Sequence, residues 1–106
     1  MHIQSDLKFI PPPPSAIGLH ELGTKEYRPK EGQLAIVSEK GAKPHFVQGE
    51  NFVVQVGKKP AGRHLIVQIT CADPILVKHG KDELVLDAGV YYVSRTDGKV
   101  DAPLVQ

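Results

Sequence analysis

The stretch that decides the fold is "PILVKHGKDELVLDAGVYYVSR", Pro74 to Arg95. It holds a histidine, several acids and two tyrosines, and its spacing is that of strands and turns. "PILVK" opens with proline, the strand position where a missing backbone donor matters least. "HGKD" supplies a turn, because Gly80 takes positive φ at no steric cost and Asp82 can bond its own backbone. "ELVLD" then sets Leu84 and Leu86 on one face. "AG" at Ala88 and Gly89 breaks the run, and "VYYVSR" sets Val90 and Tyr92 opposite Tyr91 and Val93. Residues 74–95 are therefore expected to form a three-stranded meander closed by "TDGK".

The same texture extends backward. "QLAIVS" (33–38), "HFVQ" (45–48), "FVVQV" (52–56) and "HLIVQIT" (64–70) are β-branched runs separated by "EKGAKP", "GEN", "GKKPAG" and "CADP". Breaks rich in Gly, Pro, Asn and Asp at intervals of about eight to twelve residues indicate an all-β chain, a small β-sandwich or a partly open β-barrel. No helical period competes, and six to eight strands are expected. The core must rest on Val, Ile and Leu, since the 106 residues contain no Trp and only six aromatics.

Before Glu31 the composition changes. "IPPPPSAIGLHELGTKEYRPKEG" carries five of the nine prolines, and Pro11, Pro12, Pro13 and Pro14 exclude a regular helix or central strand. Residues 1–30 are accordingly expected to be a proline-rich N-terminal arm, with 31–106 as the β domain. "LKFI" is expected at most to add an edge strand. Four prolines favour a stiff polyproline II segment, which suits docking on a partner or on a second copy of the chain.

"LVKHGKDELVLDAGVYYVSR" (76–95), about a fifth of the chain, resembles the C-terminal part of a group of small uncharacterised bacterial and phage proteins. In these a His-Gly turn precedes a strand, a Gly-x-Tyr step and a further strand ending in Arg. The resemblance implies a β fold and no activity.

Thirteen basic and twelve acidic residues give a formal charge of +1, far from the excess expected of a phosphate-neutralising protein. No apolar run approaches a membrane span and no signal-peptide pattern opens the chain, so a cytoplasmic location is expected. Cys71 has no partner for a disulfide and is expected to be a small buried hydrophobe. Ser38, Ser94 and Cys71 offer nucleophiles without a local base. Asp82 and Glu83, adjacent on a strand, point to opposite faces and cannot act as an acid/base couple.

Two constellations stand as alternatives to a simple binding fold. Lys58, Lys59 and Arg63 on the "GKKPAGRH" loop, joined by Tyr91 if the sheet curls, would form a single-stranded nucleic-acid surface of the OB or SH3-like kind. His45, His64 and His79, each near a strand end, would make a metal-dependent barrel enzyme if three strands converged, although no H-x-H or H-x-x-x-H spacing supports it. Histidines exposed in turns are the plainer expectation. The sequence therefore points to a non-enzymatic binding or assembly module without cofactors, a component of a bacterial or phage assembly. Its expected partner is another protein or itself, through the arm or edge strands, with nucleic acid less favoured and no membrane.

Overall fold

A computed structural model describes residues 2–12, 23–58, 65–98 and 102–106. Eleven strands run through them, more than the six to eight expected: β1 (His2–Gln4), β2 (Leu7–Ile10), β3 (Gly23–Tyr27), β4 (Gln33–Val37), β5 (His45–Gln48), β6 (Phe52–Lys58), β7 (Leu65–Cys71), β8 (Ile75–His79), β9 (Asp82–Leu86), β10 (Gly89–Arg95) and β11 (Leu104–Val105). Every pairing is antiparallel. The strands form a six-stranded sheet in the order β1-β2-β10-β7-β6-β3 and a five-stranded sheet in the order β11-β4-β5-β8-β9, not closed into a barrel. Among the described residues no helix is long and apolar enough to cross a membrane.

Period-two alternation builds the shared core. The larger sheet contributes Leu7, Phe9, Val54, Val67, Ile69 and Val93, and the smaller contributes Leu34, Ile36, Val47, Ile75, Val77 and Leu86. Opposite faces carry polar residues. On the outside of the larger sheet, Gln68 donates to Gln55 and Gln55 to Glu26, neighbours in register across β7, β6 and β3.

The expected meander is only half present. β8 and β9 form a hairpin in which His79 faces Asp82 across the Gly80-Lys81 turn, with Gly80 at φ 63°. Positive φ at the first central residue alone is the type II′ pattern. β10, however, leaves β9 at Ala88–Gly89 and enters the other sheet between β2 and β7. Periodicity fixes which residues share a face of a strand, and it is silent on which sheet receives that strand.

The boundary at residue 30 has no counterpart among the described residues. β1 and β2 form a hairpin whose inner strand pairs with β10, so "LKFI" is an interior strand, and Leu7 and Phe9 are fully buried. Pro11 and Pro12 follow β2 directly without regular structure, while Pro13 and Pro14 lie outside the described residues. Cys71 is buried at the end of β7, its thiol facing the carbonyls of Asp87 and Gly89.

Candidate functional site

At one end of the smaller sheet the inward row of side chains turns polar. Ile36 faces His45 across β4 and β5, and His79 faces Asp82 across β8 and β9. The β5–β8 register, Phe46 with Lys78 and Val47 with Val77, sets His45 beside His79 one step further on. The two imidazoles stack with centroids 3.9 Å apart and planes 12° from parallel. His45 shares its face with Val47 and is fully buried, contrary to the expectation of exposed turn histidines. His79 is half-buried, and its Nε2 is enclosed without a hydrogen-bond partner.

The β1–β2 hairpin of the larger sheet closes over this row. Its two-residue turn holds Ser5 at φ 54°, a left-handed conformation that costs a non-glycine residue about 1–2 kcal/mol. The turn is pinned from β10's end, where Thr96 donates its backbone N–H to the Asp6 carbonyl and its hydroxyl to that of Ser5. It presents Gln4 and Asp6 to the histidines. Gln4, itself buried, donates Nε2–H to the Val77 carbonyl at 2.9 Å, which turns its Oε1 to His45 Nδ1 at 2.8 Å. Because an amide oxygen only accepts, Nδ1 carries the proton. His45 Nε2 then lies 2.7 Å from Asp6 Oδ1, while the Ser38 hydroxyl donates to Asp6 Oδ2.

A carboxylate also only accepts, so something positive must lie on the line from Nε2 to Oδ1. A second proton on His45 is one solution, and the surroundings resist it. Burial, reinforced by His79, outweighs the hydrogen bond to Asp6 and holds His45 below the ordinary imidazole range. Burial would raise Asp6, but hydrogen bonds from Ser38 and His45 outweigh it and hold the carboxyl below its ordinary range. A proton on His45 Nε2, donated to Asp6, satisfies both groups at the cost of a charged imidazole buried beside His79.

The order of the groups excludes the familiar nucleophile arrangement. Ser38 bonds the carboxylate and not the imidazole, so the Ser-His-Asp order is absent. Ser38 is buried as well.

Of the sequence-derived candidates, the structure brings His45 and His79 together. His64 lies outside the described residues, and the third group at the cluster is Asp6. Lys59 and Arg63 also lie outside them, and Lys58 is the last residue of β6. Tyr91 faces Ile69 on β7, four residues and about 13 Å along the strand from Leu65, the partner of Lys58. Its ring packs against the core and its hydroxyl donates to the Asp87 carbonyl, leaving it poorly placed to stack on a base. Gln4 and Asp6 were not singled out by sequence, and Ser38 was noted only as a nucleophile without a local base. The available clue was parity, since His45 alternates with Val47 and His79 with Val77 and Ile75.

No protein-family profile matches the chain, and no curated protein or solved structure is significantly similar to it.

Proposed function

We propose that the chain is a non-catalytic binding and assembly module that pairs through the edge of β9 left open among the described residues, a second copy of the chain being its partner. The observation that carries this reading is the contrast between β9 and the other three edges. β1 and β11 have only three and two residues, and β3 carries Lys25 on its exposed side, the usual protections against strand addition. β9 has five residues, no Lys or Pro, and Val85 at 61% exposure.

The hairpin sets which backbone groups are free. In its turn the Asp82 N–H bonds back to His79, so by alternation Asp82, Leu84 and Leu86 face β8, and Glu83 and Val85 direct their N–H groups outward. A second β9 running antiparallel about Leu84 sets Glu83 opposite Val85 of the other copy. No like charges meet, and the smaller sheet continues across a two-fold axis. The bacterial or phage setting is supported by the likeness of residues 76–95 alone.

Light scattering on the full chain, with Val85→Pro beside it, tests the reading. Proline at 85 removes an N–H that faces only the free edge, so the fold should survive while pairing is lost. Concentration-dependent dimerisation abolished in the variant is the expected result. A chain monomeric at all concentrations, or a variant that dimerises equally well, overturns it.

A further inference from the structure

We infer that Asp6, His45 and His79 form a binding site for a first-row divalent metal ion of the zinc type, joining the β1–β2 hairpin of one sheet to β5 and β8 of the other. One candidate ligand atom from each residue lies within 4.8 Å of the others. Two nitrogens and one carboxylate oxygen suit Zn²⁺, Co²⁺ or Ni²⁺, and not the all-oxygen preference of Ca²⁺ or Mg²⁺.

Three features single this cluster out from a chance gathering of polar residues. The first is the 2.7 Å approach of His45 Nε2 to Asp6 Oδ1, two acceptors whose facing lone pairs require a cation between them once Nδ1 holds the imidazole proton. An ion bonded to both takes the place of the proton on Nε2. The second is the outer layer. Metal-bound histidines characteristically donate their other ring N–H to an oxygen, and ligating carboxylates are themselves hydrogen-bonded. Gln4 does the former for His45, anchored on the Val77 carbonyl, and Ser38 does the latter for Asp6. The third is His79 Nε2, enclosed at the cluster with no partner.

The geometry also defines what must move. Metal bonds of about 2.0–2.2 Å set tetrahedral ligand atoms roughly 3.3 Å apart, closer than the widest separation here and wider than the 2.7 Å between His45 Nε2 and Asp6 Oδ1, so that pair parts as His79 closes in. A metal lies in the plane of each imidazole it binds, and two stacked, nearly parallel rings cannot both meet that condition. His79 therefore turns about its Cβ–Cγ bond, a broad torsion. Asp6, with 38% of its side chain exposed, opens the site to solvent. Three protein ligands leave a fourth position for water.

The test uses the full chain without a tag. Zn²⁺ is titrated calorimetrically, Co²⁺ is followed by its visible absorption, and thermal unfolding is recorded with and without metal for the parent chain and for His79→Gln, Asp6→Asn and His64→Ala. One equivalent of Zn²⁺, intense tetrahedral Co²⁺ bands and a metal-dependent rise in Tm are expected. His79→Gln, at a half-buried position, should fold as the parent does and lose more than about tenfold in affinity. Asp6→Asn should do likewise, and His64→Ala should bind as the parent does. No uptake by the parent chain overturns the inference. So does undiminished uptake by folded His79→Gln, or loss in His64→Ala with Asp6→Asn unaffected, which would return the site to a three-histidine set.

Discussion

Replacing Phe9 by Ala tests the central correction to the sequence reading, that the first ten residues belong to the core. Phe9 is fully buried on β2, with His2 opposite it on β1 and Val93 opposite it on β10. Truncating a buried Phe to Ala costs about 3–5 kcal/mol, the spread reflecting how far the site can collapse. Here a strand on each side and the facing sheet hold the walls apart, so the upper half of that range, about 4 kcal/mol, applies. Small domains are stable by about 5–15 kcal/mol, so the variant should remain folded but marginal. At about 4–6 °C per kcal/mol for a chain of this size, Tm should fall by roughly 15–25 °C. Urea and thermal unfolding followed by circular dichroism measure both quantities. Lys8→Ala, one residue away and on the other face, is the control, with an expected change within about 0.5 kcal/mol. If Phe9→Ala costs no more than Lys8→Ala, the β1–β2 hairpin lies outside the cooperative unit and the reasoning fails.

A chain beginning at Lys30 loses Leu7 and Phe9 and uncovers the edges of β10 and β6, so it should be unfolded or aggregated by circular dichroism and light scattering; a folded monomer would contradict the shared core. The turn between Lys30 and Gln33 has positive φ at both Glu31 (55°) and Gly32 (76°), the type I′ pattern that prefers Asn-Gly. Glu31→Asn should therefore raise stability by about 0.5–1 kcal/mol in urea unfolding, and a loss would refute the turn assignment. Burial pushes the Cys71 thiol up, so a thiol reagent should label it only as fast as the chain unfolds. Because the unfolded chain then releases that proton first, stability should decline as pH rises through the ordinary thiol range, and a Cys71→Ala variant should lose this component of the decline.

Most strands from β4 to β10 were legible because each obeys a local rule. "HFVQ" is β5 to the residue, and the β8–β9 hairpin follows from one glycine that can adopt positive φ. What was not legible depended on partners distant in sequence. β10 alternates in the same way whether it follows β9 in one sheet or crosses to pair with β2, and only the packed core distinguishes the two. Residues 1–30 were read as an arm because they are rich in proline and too short of apolar content to fold alone; Leu7 and Phe9 complete a core made by residues 34–93.

The candidate site illustrates the same limit at the scale of single atoms. Parity alone places His45 on the face of Val47 and His79 on the face of Val77, so two inward histidines were within reach of the sequence. Their union needs the β5–β8 register, and the identity of the third group needs the β1–β2 turn, 39 residues from His45. Histidine spacing was the wrong measure because antiparallel strands bring together residues at separations fixed by loop length. The measure that carries physical information is the balance of donors and acceptors. An apolar pair in the His45 and Asp6 positions would pack without the strained Ser5 turn, the buried amide of Gln4 or the hydroxyl of Ser38. Four polar groups arranged so that one acceptor faces another across 2.7 Å are costly unless a cation completes them. A proton on His45 completes them at the cost of a buried charge, and a metal ion would do so with a third ligand, His79, already at hand.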